Sequence, residues 1–289
     1  MFRMSLSAFT KDESFPFYIQ YGVHEEPLYL HGHDNYFELV IVLSGTAVHI
    51  VDGERYSAKK GDVFVIGSDT EHGYDEPENF RICNIMFRKS VLDEVSEDLA
   101  GSVGFQALFV VEPNASMKKT FCSSLHLGSV EFSRISQLIH NMNCEYTSNL
   151  TGRIAMLKAC FQTLVVTLSR LYDFEKISEN KDMLKLAKVL AYIHTNYTSD
   201  VKVSKLAEIA NYSQRQLIRL FHSTFDCVPS EYITQLRMQA ARDMLIDGRM
   251  SVAEVAAQCG YTESNYFSRI FRKYNGLSPT EYREYFVKK

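Results

Sequence analysis

The sequence predicts an α+β chain of two domains: an N-terminal β-barrel followed by helices, then a C-terminal domain that is all helix. Three observations carry this prediction. Apolar and polar residues alternate in short runs from about residue 17 to 88, the apolar period becomes helical from residue 129, and the C-terminal stretch repeats itself at an offset of 49 to 50 residues. The 289-residue length also exceeds the usual size of one domain and leaves room for two cores.

The runs FELVIVLSG, AVHIVDGERYS, KKGDVFVIGSD and RICNIMF read as strands of an antiparallel sandwich or barrel. Asp52-Gly53 between two of them is a two-residue hairpin signal, because both residue types tolerate positive φ. Further on, Phe132, Ile135, Leu138, Ile139 and Met142 fall at helical spacing, as do Ile154, Leu157, Phe161, Leu164, Val165, Leu168 and Leu171. These two helices either cap the barrel or form a dimer interface. The polar stretch YDFEKISENKDM reads as a linker. The expected organisation is therefore a barrel over 1–128, a packing or dimerisation region over 129–172, a linker over 173–182 and the helical domain over 183–289.

Composition narrows the function. With 46% hydrophobic and 23% charged residues the chain is of ordinary globular type. No apolar run approaches the roughly 18 to 20 residues that a membrane helix needs. The start, MFRMSLSAFTKDESF, lacks a basic segment followed by an apolar one, so a cytoplasmic location is expected. Six cysteines are scattered without metal-finger spacing and read as reduced core residues. The net charge of −4 divides unevenly: residues 183–289 hold 15 Lys or Arg against 10 Asp or Glu, and residues 1–182 hold 16 against 25. A basic C-terminal half beside an acidic N-terminal half points to polyanion binding by one domain.

The repeat sharpens this expectation. LAEIANY (206–212) matches VAAQCGY (255–261), LIRLF (217–221) matches FSRIF (267–271), and PSEY (229–232) matches PTEY (279–282). Each copy has a short apolar helix ending at a turn-forming residue, Asn211 or Gly260, then a tight turn and a second helix expected to open on a capping hydroxyl. Ser213 with Gln216, and Ser251 with Glu254, have capping-box spacing. Two short helices joined by a tight turn form the helix-turn-helix, whose second helix enters the major groove. Helical spacing buries Leu217, Leu220 and Phe221 and turns Gln214, Arg215, Ile218, Arg219 and His222 outward. In the second copy it buries Phe267, Ile270 and Phe271 and exposes Ser264, Asn265, Tyr266, Ser268, Arg269 and Arg272. Arg pairs bidentately with guanine and Asn or Gln with adenine, and Ile218 suits a thymine methyl. Lys202, Lys205, Lys273, Lys288 and Lys289 supply attraction to phosphates. Between the copies EYITQLRMQAARDMLIDG reads as one long helix started by Pro229 and stopped at Gly248. Such a rigid spacer suits recognition helices set near the ~34 Å repeat of the major groove.

The strings AEIANYSQRQLIRLFHSTFDCVPSEYITQLRMQAARDML and SVAEVAAQCGYTESNYFSRIFRKYNGLSPTEYR closely resemble the AraC/XylS family of bacterial transcription regulators over residues 183–289. The resemblance implies base contacts by Arg215, Ile218 and Arg219 in the first unit and by Ser264, Asn265, Tyr266, Ser268 and Arg269 in the second, with Gln214 beside them. It implies a regulator, not an enzyme, with double-stranded DNA, RNA polymerase, a small-molecule effector and a second copy of the chain as partners. Asp226 departs from the family, which commonly has Gly there; Asp tolerates the left-handed conformation, so no loss of function is expected.

In the front half His31, His33, Glu38 and His72, with Gly45, Gly61 and Asp62 between, resemble the cupin pattern, in which two His, a Glu and a third His converge inside a small barrel as metal ligands. The fold expected of residues 1–128 is accordingly cupin-like. Residues i and i+2 of a strand share a side, so His31 and His33 aim into one cavity. Imidazole and carboxylate suit Zn, Fe, Ni or Mn. No resident cofactor is expected, with a divalent metal as the alternative. Regulators of this family use the cavity for an organic effector, often a sugar, which makes His31, His33, Tyr36, Glu38 and His72 candidate effector contacts, with His49, Tyr56 and Tyr74 nearby. Gly67 and Asp69 stand where cupins commonly have Pro and Gly. Alternatives left open are a metal-dependent cupin oxygenase or isomerase, and a regulator whose barrel only dimerises.

Overall fold

The computed structural model describes residues 2–11, 15–68, 70–115, 125–172 and 181–287. Asp69, Cys122, Lys288, Lys289 and residues 173–180 of the expected linker lie outside the described residues. The chain divides into two compact units, Met1–Lys188 and Val189–Lys289.

Among the described residues the first unit is built on one sheet of eight strands: β1 (Arg3–Ser5), β2 (Phe17–His24), β3 (Leu28–Asp34), β4 (Phe37–Val51), β5 (Glu54–Lys59), β6 (Asp62–Ile66), β7 (His72–Phe87) and β8 (Leu125–His126). Two long strands, β4 and β7, organise it. The first half of β4 lies between β6 and the last half of β7, which carries β2 on its other edge; the second half of β4 lies between β5 and the first half of β7, which carries β3. Register shifts between Val42 and Val48 mark the change of partners, as bulges do where a strand bends. The Asp52-Gly53 hairpin forms with both residues at positive φ, 47° and 85°.

The bend turns both halves of the sheet toward one core. Val40, Val42, Phe64, Phe80 and Ile82 come from one half, Val51, Ala58 and Tyr74 from the other. Residues on the opposite face are buried as well: Phe17 and Phe87 pack on Phe161, with ring centroids 5.4 and 4.9 Å away. This is why FELVIVL reads as a continuous apolar run instead of an alternating one, since a strand covered on both faces has no wet side.

Phe161 belongs to α5 (Arg153–Leu171), which with α4 (Ser129–Thr147) forms the expected helix pair. Its residues Leu157, Phe161, Leu164, Val165 and Leu168 are fully buried. α5 is long and apolar enough to cross a membrane, but its packing against the sheet makes it a core helix. Three α-helical pieces precede the pair among the described residues and leave no clear periodic mark in the sequence. They are α1 (Lys89–Val95), α2 (Val103–Phe105), which widens into a π turn over Gln106–Val111, and α3 (Glu112–Ala115).

α6 (Lys181–Asn196) crosses the division between units. The second unit continues with α7 (Val203–Ala210), α8 (Gln214–Phe225), α9 (Pro229–Asp247), α10 (Val252–Gln258), α11 (Ser264–Asn275) and α12 (Pro279–Val287). Its helix ends follow local chemistry closely. Ser213 and Gln216 form a reciprocal capping box at the start of α8, and Ser251 and Glu254 form one at α10. Ser278 and Glu281 repeat the reciprocal bonds before α12, a pair the sequence reading passed over. One expectation is corrected: α11 opens at Glu263 with no side-chain cap, so only the first of the two second helices begins on a capping hydroxyl.

Candidate nucleic-acid interface and sensor centre

In the second unit, α7 with α8 and α10 with α11 are the two helix-turn-helix pairs, and α9 joins them as a 19-residue helix ending at Gly248. Leu217 and Phe221 seat α8 on its core, and Phe267 and Phe271 do the same for α11; all four are fully buried. Gln214, Arg215, Ile218, Arg219 and His222 of α8 are exposed, as are Ser264, Asn265, Tyr266, Arg269 and Arg272 of α11. Ser268 is half-buried, its hydroxyl donating to the Ser264 carbonyl at 2.8 Å. The Arg269 guanidinium lies 5.3 Å from the centre of the Tyr266 ring, a cation–π arrangement that holds the arginine along the helix surface.

These two faces differ in preparation. The α8 N-terminus is closed by Gln216, which accepts from the backbone of Ser213 at 3.0 Å, whereas the first N–H groups of α11 receive no side-chain cap. Asp226, at the position where the resembling family commonly has glycine, adopts the left-handed conformation at φ 53° and ends α8, so the backbone geometry is kept without glycine.

In the first unit the four cupin-pattern residues meet. β3 and β7 place His31 directly opposite His72, and His33 lies on the same side of β3 as His31. One ligand-capable atom from each of His31, His33, Glu38 and His72 lies within 4.8 Å of the others. The four are nearly sealed from solvent, at 5%, 0%, 2% and 1% exposure. His33 Nε2 is 3.0 Å from Glu38 Oε2 and 3.0 Å from His72 Nε2, and His72 Nε2 is 3.4 Å from the same carboxylate oxygen. Burial alone would push Glu38 up, but hydrogen bonds from His33 and His72 hold it well below the usual carboxylate range. Burial lowers both His72 and His31, which favours neutral imidazole.

Around this centre Tyr36 stacks on His33 at 4.4 Å, and His49 lies between Phe64 at 4.5 Å and Tyr74 at 5.0 Å. Among the described residues, the buried hydroxyls of Tyr36 and Tyr74 and the Nδ1 atoms of His33 and His72 have no hydrogen-bond partner. Tyr56 is partly buried and packs against the apolar core. One contributor escaped the sequence reading. Arg3 on β1 binds Asp34 at 3.0 Å and donates to the His33 carbonyl at 3.1 Å, clamping the strand that carries two of the four residues. A three-residue strand at a chain end has too little periodicity to be read from sequence.

Residues 22–142 match the family model of the AraC-like ligand binding domain, and residues 206–285 match that of a helix-turn-helix domain. The chain belongs to the AraC/XylS family. It is a DNA-binding transcription regulator with an AraC-type ligand-binding domain in front. Among proteins it resembles is the HTH-type transcriptional activator RhaR of Mannheimia succiniciproducens, 25% identical over 283 residues, 98% of this chain and 96% of that one. RhaR of Escherichia coli O139:H28 is 26% identical over 255 residues, 88% of this chain and 86% of that one. Among solved structures, the C-terminal domain of the two-component response regulator yesN from Fusobacterium nucleatum is 31% identical, covering 33% of this chain and 94% of that chain, with a TM-score of 0.32.

Proposed function

We propose that this AraC-type regulator activates transcription in response to a small molecule, a sugar or related metabolite, that reaches the sensor centre of the first unit. The observation that carries the reading is the pair of seated helices, α8 and α11, whose outward residues Gln214, Arg215, Ile218, Arg219, Ser264, Asn265, Tyr266 and Arg269 are exposed and suited to base edges. Ser268 supports that face from within α11. The protein acts in the cytoplasm as a homodimer and without enzymatic turnover, recruiting RNA polymerase when effector binding shifts the balance between two arrangements of the dimer. The test is selection of a preferred duplex from random DNA, followed by affinity measurement over a salt series. A steep fall with salt and a defined sequence are expected; binding that is equal for all duplexes would overturn the reading. Thermal-shift screening against a sugar panel tests the effector, with a raised melting temperature for one class as the expected result.

A second reading concerns the effector centre. The set of three imidazoles and one carboxylate fits a divalent cation, and the donor chemistry suits Zn, Fe, Ni or Mn. The His31 Nδ1 lies 3.1 Å from the Tyr29 carbonyl; a proton donated there leaves the lone pair on Nε2 for a metal, as an outer hydrogen bond does in metal sites. A bound cation would supply a fixed positive charge for an oxygen ligand, with the Tyr36 and Tyr74 hydroxyls, which have no partner among the described residues, in the same interior. Metal analysis of purified protein tests this: a near-stoichiometric ion that is lost in His31→Ala and His72→Ala supports it, and metal-free protein that still responds to effector overturns it.

A further inference from the structure

We infer that Arg237 is a positioning residue that fixes the two recognition helices relative to each other, and so sets the spacing of DNA segments that the protein reads together. The inference rests on the DNA-binding reading of α8 and α11.

Arg237 lies on the buried stripe of α9, four residues after Ile233 and four before Ala241, both buried. A charge on such a stripe must find partners, and this one finds three. Its Nε donates to the Tyr197 carbonyl at 2.7 Å, Nη2 to the Ser199 carbonyl at 2.8 Å and Nη1 to the Gly260 carbonyl at 3.4 Å. The guanidinium also lies 5.2 Å from the centre of the Tyr261 ring. Tyr197 and Ser199 belong to the loop that leads into α7 of the first helix-turn-helix, while Gly260 and Tyr261 form the turn of the second. One side chain on the connecting helix therefore holds the entrance of one reading unit against the turn of the other.

The backbone shows the same junction. Gly260 has φ +80°, and a Cβ there would fall 2.1 Å from the Thr198 carbonyl oxygen, so the loop and the turn are in direct contact. Only a planar fork of donors serves three carbonyls and an aromatic face at once; a lysine ammonium on the same stem lacks that geometry. Removing the fork leaves α9 and both apolar cores in place. What it releases is the angle between the loop before α7 and the α10–α11 turn.

The experiment uses the full chain and the duplex it selects from random DNA. Footprinting assigns the segment read by each unit. One probe keeps both segments, a second has one segment replaced, and a third has about half a helical turn (~5 base pairs) inserted between them. Arg237→Ala is expected to bind the two-segment duplex about tenfold more weakly while binding the single-segment duplex within about twofold of wild type, because two modules that no longer fit together lose their mutual gain. The penalty for the insertion shrinks in parallel, and Arg237→Lys lies between. Far-UV circular dichroism and melting temperature establish that each variant is folded, and Arg237→Lys, which keeps the alkyl stem, carries the test if Arg237→Ala does not fold. Equal loss on both probes overturns the inference, because it marks a direct DNA contact or a general loss of structure; so does an unchanged insertion penalty. A wild-type chain that selects no duplex overturns the DNA-binding reading itself, a result plainly different from either.

Discussion

The two units of this protein use polar side chains in opposite ways. In the sensor unit, His31, His33, Glu38 and His72 are buried together, and their placement depends on strands far apart in sequence. In the DNA-binding unit the polar residues of α8 and α11 stand exposed on helices whose opposite faces are apolar. A functional group that is buried is also a structural group, since its removal leaves neighbours without partners in a place water does not reach. An exposed group on a seated helix can be removed with the helix left in place. Function and stability should therefore be inseparable in the first unit and separable in the second.

The sharpest way to break that contrast is Arg219→Ala combined with Arg269→Ala. If each arginine makes the proposed bidentate contact, worth about 1 to 3 kcal/mol, the double substitution should reduce specific duplex binding by about thirtyfold or more, while exposed substitutions move stability by only about 0.5 kcal/mol. Competition gel shifts and thermal melts measure the two quantities. Unchanged specific binding would sink the assignment of these residues.

Glu38→Ala is the counterpart in the sensor unit. It removes the carboxylate that His33 and His72 approach at 3.0 and 3.4 Å, leaving buried imidazole N–H groups without an acceptor, and should destabilise the fold by about 2 kcal/mol, read by denaturant unfolding. A loss below about 1 kcal/mol would show that the cluster is not stabilised as a unit.

A smaller effect tests burial without the cluster. Glu112 is fully buried and burial raises it well above its usual value of 4.5, although Val65 donates to it at 3.2 Å. The folded state thus keeps a proton that the unfolded state releases, and stability falls as pH rises above 4.5 towards the folded-state value. Glu112→Gln should flatten that decline in a series of melts from acid to alkaline pH; an identical pH slope would show that Glu112 is ionised in the fold. Smallest is Ser213→Ala, which opens the capping box of α8 and should cost about 1 kcal/mol of stability. The same change should weaken binding to the segment read by α8 more than to that read by α11, as single-segment probes would reveal.

Much of the second unit was legible because its signals are local. Capping boxes at Ser213 and Ser251, the stop at Gly248 and the apolar faces of α8 and α11 all span a few residues, and the repeat displays each of them twice. The four-residue set of the first unit was legible as a pattern, because residues two apart on a strand share a side. Glu263 at the start of α11 misled the expectation of a hydroxyl cap, because the repeat is a similarity of fold and does not require the same cap.

By itself, then, the sequence determined the two-domain α+β order, the paired helix-turn-helix units and, apart from the half-buried Ser268, which named residues of α8 and α11 face outward, since helix and strand periods follow from covalent geometry. Only the tertiary structure decided that His31 lies opposite His72, that Arg3 clamps the strand beside them, and that Arg237 joins two reading units through carbonyls 38 to 40 residues away in one direction and 23 in the other. Those contacts join segments distant along the chain, and carbonyl partners belong to the backbone, which carries no side-chain signature for a sequence to display.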